Sequence, residues 1–202
     1  MKEKGAASLA LIRQRFEQPG TIEPVIEIPE IVPATLTPAA VLIPLVLRED
    51  GLQVLLTRRT DHLLNHPGQI SFPGGRAEPG EVFPLATALR ETEEETGIKP
   101  ESIEPLGTLP EYCTGTGFRI SPVVGVLSPP FTLAPDPFEV AEIFEVPLAF
   151  LINPANIERP TMEWKGKQRR FYAIPYGDYY IWGATAGMLV VLGRLLAGSN
   201  AT

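Results

Sequence analysis

Cysteine is almost missing from this chain, since Cys113 is the only one among 202 residues. One cysteine excludes an intrachain disulfide and a zinc site built from several thiolates. The two histidines, His62 and His66, are not close to it in sequence, which argues against a Cys–His catalytic pair. We therefore expect Cys113 to be a small residue at a strand end, and the histidines to be polar loop residues.

Long basic runs and membrane-length apolar runs are also missing. The formal net charge is -7, and a duplex nucleic-acid binder normally needs a basic face, so we expect no nucleic-acid partner. The apolar run Ile181–Gly193 is stopped by Arg194, well short of the ~20 residues that span a membrane. The apolar stretch Ala6–Ile12 is thin and no small-residue cleavage site follows it, which argues against a secretory signal. The sequence thus predicts a soluble, cytoplasmic protein without a membrane partner.

The front of the chain divides into two parts. Leu9–Phe16 has the spacing of a short amphipathic helix, and Pro19–Pro38 is rich in proline. Proline at this density blocks helices and central strands. Residues 1–38 are therefore predicted to be an N-terminal helix and an extended arm, and residues 39–198 a single domain. The arm and the apolar C-terminal helix are candidates for a homodimer contact.

Apolar β-rich runs and turn residues predict the secondary structure of the domain. Ala39–Leu47 and Leu52–Thr57 are predicted to pair as a hairpin, because Asp50-Gly51 lies between them. The further predictions are strand Gln69–Phe72, helix Leu85–Thr96 closed by Gly97, strand Pro122–Leu127, a loop with a short strand over Phe138–Glu145, helical turn Leu148–Leu151, hairpin Glu163–Ile174 and helix Trp182–Leu196. This irregular alternation predicts a mixed α/β sandwich of the α+β type rather than a doubly wound parallel sheet.

The predicted helix Leu85–Thr96 carries a cluster of acidic residues. At about 100° per residue, Glu91, Glu94 and Glu95 fall on one side. Glu91 and Glu95 are i,i+4 neighbours near the helix C terminus, where both mutual repulsion and the helix dipole disfavour anions. A hard divalent cation would relieve this repulsion, since magnesium and manganese prefer carboxylate oxygens.

A solvated acidic helix face is the alternative explanation for these glutamates. The preceding loop favours the metal site, because Gly74 and Gly75 allow a close approach of the backbone. A strand, a glycine loop and a helix with converging carboxylates together indicate a cradle for a metal ion and phosphate groups.

The segment Gly75–Ile98 resembles the Nudix box, a glycine loop and helix ending in Arg-Glu-x-x-Glu-Glu-x-Gly-apolar. Glu81 stands where the box has its first glutamate, but one extra residue precedes Arg90. The resemblance implies the Nudix fold, a mixed β-sheet sandwiched between helices. It also implies a magnesium ion, or manganese in its place. The residue roles that it implies are metal binding by Glu91, Glu94 and Glu95, orientation of these carboxylates by Arg90, and deprotonation of the attacking water by Glu94 or a loop glutamate, Glu139 or Glu142.

A second resemblance narrows the substrate. The runs Leu55–Thr60 and Gly68–Gly75, the extra residue in the box and the ending Tyr180–Ala186 are similar to the coenzyme A pyrophosphatase branch of Nudix enzymes. The branch implies hydrolysis of coenzyme A or acyl-coenzyme A to 3′,5′-ADP and 4′-phosphopantetheine or its acyl derivative. Substrate-binding candidates are Arg58, Arg59, Gly74 and Gly75.

One position departs from that branch in a way that bears on phosphate binding. Leu64 stands where the branch has an arginine, and leucine cannot hold the 3′-phosphate of coenzyme A. Arg58, Arg59, His66 and the Lys165–Arg170 segment are the candidates to replace it. Two alternatives stay open: a Nudix hydrolase for ADP-ribose, a dinucleotide or another nucleoside diphosphate derivative, and a non-catalytic nucleotide-binding protein.

Overall fold

The computed structural model describes residues 2–18, 36–63, 66–164 and 166–198. Most of the predicted proline-rich arm, together with Leu64 and Lys165, lies outside these residues. The helices are α1 (Lys2–Glu17), α2 (Leu85–Thr96), α3 (Leu148–Leu151) and α4 (Ala184–Ala197). The strands are β1 (Thr37–Arg48), β2 (Gly51–Arg59), β3 (Ile70–Ser71), β4 (Gly74–Arg76), β5 (Ile103–Thr108), β6 (Tyr112–Cys113), β7 (Phe118–Leu127), β8 (Val140–Pro147), β9 (Thr161–Trp164), β10 (Lys167–Arg170), β11 (Ala173–Tyr176) and β12 (Tyr179–Trp182).

Strand β1 lies at the centre of the main sheet, which within the described residues contains the eight strands β1 through β8. It pairs antiparallel with β2 through the predicted hairpin, with Leu45 opposite Val54. Its first half pairs antiparallel with the short strand β4, and its other edge pairs in parallel with β7. The sheet is therefore mixed, as predicted.

The two faces of the sheet carry separate cores. On one face α2 packs through Ala88 against a cluster that includes Leu42 and Leu55. On the other face α4 packs through Leu189 against a cluster that includes Leu56. Neighbouring residues of a strand point to opposite faces, which is why Leu55 and Leu56 belong to different cores. The predicted sandwich of a mixed sheet between helices is confirmed.

Helix α1 (Lys2–Glu17) is longer than the predicted helix Leu9–Phe16. Its residues Leu9 and Ile12 are buried, and Ile12 joins the α4-side core. Burial of this apolar edge stabilises α1 against the sheet, since an isolated helix of this length is marginal in water. No helix in the described part of the chain is long and apolar enough to cross a membrane.

Two predicted boundaries need correction. Phe138–Glu145 was expected to be a loop with a short strand, whereas β8 runs for eight residues along β2. Trp182 was expected to begin the last helix, but it ends β12, and α4 starts at Ala184. Gly183 separates them with a φ of 62°, a backbone conformation that favours glycine.

Candidate active site

Helix α2 begins after Pro84 and ends at Gly97, as predicted from the sequence. Gly97 has a φ of 75° and donates its backbone N–H to the Glu93 carbonyl, which is the usual way of closing a helix with glycine. The buried side of α2 is built from small and hydroxyl-bearing residues, so the helix lies close to the sheet. Thr92 and Thr96 satisfy their buried hydroxyls by donating to carbonyls one turn earlier.

The three predicted metal ligands lie at three depths on this helix. Glu95 is buried, with 6% of its surface exposed, whereas the Glu91 and Glu94 side chains are 19% and 59% exposed. The burial of Glu95 beneath the glycine loop argues against the alternative explanation, a solvated acidic helix face. The carboxylates therefore form a gradient from solvent into the protein.

The glycine loop lies directly on Glu91. Gly75 pairs with Ala40 in the sheet, and a Cβ at position 75 would collide with all three atoms of the Glu91 carboxylate. Gly75 is therefore a contact surface for Glu91, which is the close backbone approach that its lack of a side chain permits. Burial raises the pKa of Glu91, partly opposed by its ion pair with Arg90.

Glu95 is a buried carboxylate with weak compensation. Burial raises its pKa to about 8, although Arg59 and the backbone N–H of Gly74 act in the opposite direction. Arg59 Nη1 lies 3.9 Å from Glu95 Oε1, too far for a hydrogen bond. A buried carboxylate in this situation favours either a proton or a bound cation.

Arg90 links the acidic residues of the site. Its guanidinium lies 2.9 Å from Glu94 and 3.0 Å from Glu91, and it donates to the Arg76 carbonyl at 3.0 Å. Its Nε donates to Glu81 at 2.8 Å. Arg90 thus contacts Glu81, Glu91 and Glu94, and its role in orienting these carboxylates stays a prediction.

Glu81 is the residue whose importance the motif spacing left open. Its carboxylate accepts hydrogen bonds from Arg90 Nε, the Glu78 backbone N–H and the Thr87 hydroxyl. These three donors lower the pKa of Glu81 to about 2. Glu81 thus fixes Arg90, and Thr87 fixes Glu81; the spacing within the box gave no signal for Thr87.

The loop before β8 brings Glu139 towards α2. The Asp136 backbone N–H donates to the Glu95 carbonyl at 3.1 Å, and the Ala134 N–H donates to the Thr96 carbonyl at 2.8 Å. These bonds use carbonyls left free at the helix end. Glu139 Oε2 lies 3.9 Å from Arg59 Nη1, and its charge contributes to the raised pKa of Glu95.

The structure does not bring Glu142 to the same place. Glu142 lies opposite Arg58 across the β2–β8 pair, on the α4 face of the sheet. It accepts a hydrogen bond from the Tyr179 hydroxyl at 2.6 Å and lies 3.3 Å from Arg58 Nε. Of the two loop glutamates considered as a base, only Glu139 faces the acidic helix.

The two arginines predicted to bind substrate, Arg58 and Arg59, are separated in the same way. Arg59 faces Glu95 on the α2 side, whereas Arg58 faces Glu142 on the α4 side. A β-bulge falls between them, since Arg58 pairs with Glu142 and Arg59 with Val140. Neighbouring residues of a strand point to opposite faces, so Arg59 lies on the α2 side with Leu55, and Arg58 on the α4 side with Leu56.

The residue types and positions of the site suit a hard divalent cation. The candidate donors are carboxylate oxygens, Gly75 leaves room beside Glu91, and Glu95 is a buried acid without a close cation. Within the described residues, no three acidic, histidine or cysteine side chains are gathered closely enough to hold a metal ion as they stand. Arg90 contacts Glu91 and Glu94 directly, so binding would require these two carboxylates to turn from Arg90 to the cation.

Comparison with known proteins is consistent with this geometry. Residues 36–164 match the family model described as NUDIX domain. The protein named Uncharacterized Nudix hydrolase NudL from Enterobacter sp. (strain 638) is 41% identical over 152 residues, covering 75% of this chain and 78% of the relative. The protein of that name from Escherichia coli (strain K12) is 40% identical over the same coverage. The crystal structure of the MutT protein from Methanosarcina mazei Go1 superposes with a TM-score of 0.54 at 18% identity, covering 84% of this chain and 99% of that one, a likeness of fold alone.

Proposed function

The chain belongs to the Nudix hydrolase family, and from this premise we propose that it is a magnesium-dependent diphosphatase of coenzyme A or acyl-coenzyme A. Membership makes it a hydrolase of nucleoside diphosphate derivatives, which removes the non-catalytic alternative. The proposed products are 3′,5′-ADP and 4′-phosphopantetheine, or its acyl derivative. The observation that carries the reaction type is the set Glu91, Glu94 and Glu95 on α2 beneath the glycine loop.

Glu91, Glu94 and Glu95 are the residues that would hold the divalent cation, with manganese as the alternative to magnesium. When bound, such a cation supplies Lewis acidity towards phosphoryl oxygens and lowers the pKa of a coordinated water. Arg90 keeps the helix carboxylates close together, and its own position is fixed by Glu81. The buried Glu95 carboxylate makes the site receptive to a cation, and the net charge of -7 acts in the same direction.

Glu139 is the proposed base that takes the proton from the attacking water. It faces α2, and among the described residues the ion-pair partner of its carboxylate is Arg59, at 3.9 Å. Glu94 is the second candidate, but its Oε2 already accepts from Arg90 at 2.9 Å. A base must be free to receive a proton, which favours Glu139.

The two candidates for the base can be separated by substitution. Glu139→Gln should lower kcat by about 100-fold or more, in the usual range for a lost general base, while KM changes little. Glu94→Gln should mainly raise the metal concentration needed for activity. If Glu94→Gln instead removes activity at saturating metal and Glu139→Gln does not, the base is Glu94.

The coenzyme A part of the proposal is supported by the matched segments 55–60 and 68–75. In the structure some of these residues build the fold: Leu55 and Leu56 fill the two cores, and the Thr57 hydroxyl approaches Ser71. Of the two arginines, Arg59 faces α2 and remains for substrate phosphates, whereas Arg58 is paired with Glu142. Leu64 lies outside the described residues and replaces the arginine of the branch pattern. A different residue must therefore bind the 3′-phosphate of coenzyme A.

Product analysis by mass spectrometry tests the proposal. Wild-type protein with magnesium should convert coenzyme A to 3′,5′-ADP, and both EDTA and Glu95→Gln should stop the conversion. ADP-ribose and a dinucleoside polyphosphate serve as competing substrates under the same conditions. Faster cleavage of either than of coenzyme A would replace the proposed substrate while leaving the reaction type in place.

A further inference from the structure

A small cavity of about 250 Å³ lies at the edge of the main sheet, next to the edge strand β3 and the first residue of α4. It is bordered by the loop before β3, the turn between β6 and β7, and the β10 strand. Its polar lining includes His66, Gln69, Thr114, Arg169 and Arg170. None of the residues assigned to the metal site or to the proposed base lines it.

The lining of this cavity is cationic. Arg169 and Arg170 supply the positive charge, and none of the lining residues that the structure describes is acidic. Arg170 is exposed and forms no ion pair with any residue that the structure describes. An arginine presents a planar fork of donors that matches a phosphate group.

A neighbouring cavity of about 530 Å³ shows the opposite chemistry. It shares Gln69 and Trp182 with the first but contains the carboxylates of Glu142 and Asp178. Its one arginine, Arg58, lies 3.3 Å from Glu142. These carboxylates would repel a phosphate group, so the cationic cavity is the better of the two for an anion.

Aromatic rings form one wall of the cationic cavity. The Phe171 and Trp182 rings meet edge to face, with centroids 5.6 Å apart. Each is only partly buried. Such a wall suits the planar base of a nucleotide, since stacking on aromatic side chains tolerates any base.

Short connections join this cavity to the proposed catalytic centre. Gln69 in its wall is five residues from Gly74, so their Cα atoms are at most about 17 Å apart along an extended chain. A second chain of contacts, made of two hydrogen bonds and one cation–π contact, links the cavity to Arg90. The Thr114 hydroxyl accepts the Phe118 N–H at 3.0 Å, and the Phe118 ring carries the Arg76 guanidinium at 5.3 Å. The Arg76 carbonyl in turn accepts from Arg90.

We propose that this cavity binds the 3′-phosphate of the adenosine half of the substrate, with Arg170 as the specificity-determining cation and Arg169 beside it. The inference rests on the proposed function, because it assumes a substrate whose single ribose carries both a 3′-phosphate and a 5′-diphosphate. Arg170 then does the work that the branch assigns to an arginine at the position of Leu64. His66, two residues further along the chain, lies in the same cavity.

Steady-state kinetics of Arg170→Gln with two substrates test this assignment. KM for coenzyme A should rise about tenfold, as expected for one lost charge-assisted hydrogen bond. KM for dephospho-coenzyme A, which lacks the 3′-phosphate, should stay within about twofold, and kcat should be unchanged for both. Arg170→Lys should recover part of the loss. Arg13→Gln is the matched control, because Arg13 is exposed and pairs with Glu104 at 2.7 Å on α1.

Calorimetric binding of 3′,5′-ADP and of 5′-AMP keeps this test separate from catalysis. Wild-type protein should bind 3′,5′-ADP more tightly, and Arg170→Gln should lose that preference. Equal effects of the variant on both substrates and both ligands, or no effect, would overturn the assignment. If wild-type protein cleaves neither coenzyme A nor its dephospho form, the proposed function fails, while the ratio of the two binding constants still decides whether the cavity reads a 3′-phosphate.

Discussion

Replacing Gly75 with alanine should separate catalysis from stability. The added Cβ would lie 2.6 Å from Glu91 Oε2 and still closer to the other two atoms of that carboxylate. Ordinary contact begins near 3.4 Å, so the carboxylate must withdraw by roughly 1 Å. A misplacement of ~1 Å in a catalytic group costs about 100-fold in rate, and we expect kcat/KM to fall by that factor.

The same substitution should cost little folding free energy. The φ of Gly75 is outside the left-handed region, and the group that must move is the end of a flexible side chain. We expect a loss below about 1 kcal/mol, which shifts the Tm by no more than about 2–4 °C in a chain of this size. Initial rates with excess magnesium and thermal unfolding without metal measure the two effects.

Gly74→Ala is the matched contrast. Gly74 has a φ of 156°, and its Cβ would lie 2.6 Å from Val41 Cα, in the backbone of β1. Overpacking against backbone costs about 1–3 kcal/mol, so this variant should lose stability first. Gly75→Ala with activity within about threefold of wild type would contradict the role given to Glu91, since a misplaced ligand costs far more. A Tm loss equal to that of Gly74→Ala would show that Gly75 serves the fold instead.

Three further substitutions test other parts of the site. Glu95→Gln should lower turnover by more than about 100-fold, beyond the usual loss from an outer-shell partner of a metal. Because the folded pKa of Glu95 is raised from 4.5 to about 8, the stability of the metal-free wild type should fall as the pH rises through that window, and urea unfolding in EDTA should show a flatter profile for Glu95→Gln. Glu81→Gln should lower kcat by freeing Arg90. The pKa of Glu81 is lowered in the folded protein from 4.5 to about 2, so its stabilising effect is present above pH 4.5 and is lost as the pH falls towards 2. The urea midpoints of variant and wild type should therefore converge in acid. Leu64→Arg restores the arginine of the branch pattern and should lower KM for coenzyme A, and an unchanged or higher KM would show that position 64 does not contribute to binding the 3′-phosphate.

Local sequence signals were sufficient for α2. Its helical spacing and the glycine that ends it act within a few residues, and both bounds agree with the structure. The three proposed metal ligands could be chosen for the same reason, since i,i+4 geometry follows from the helix alone. Their unequal burial could not, because it depends on the glycine loop that folds over Glu95 from another strand.

Residues placed by strand pairing were harder to predict. Glu139 and Glu142 looked equivalent in sequence, and only the folded chain separates them: Glu142 pairs with Arg58 within the sheet, whereas Glu139 precedes β8 and lies near Arg59. Arg58 and Arg59 are adjacent, so one signature covered both, although neighbouring strand residues point to opposite faces of the sheet. The length of β8 depended on the same long-range pairing, which propensity does not report.

The way Glu81 reaches Arg90 bears on how relatives of this chain can be recognised. Compared with the Nudix box, this chain has one additional residue between Glu81 and Arg90. The Glu81 carboxylate still accepts from the Arg90 guanidinium at 2.8 Å, because Thr87 and the Glu78 N–H also hold it in place. Inside α2 a single insertion would rotate every following glutamate by about 100° and disperse the set. A search pattern for such enzymes should therefore allow variable length between this glutamate and the helix, and none between Arg90 and Gly97.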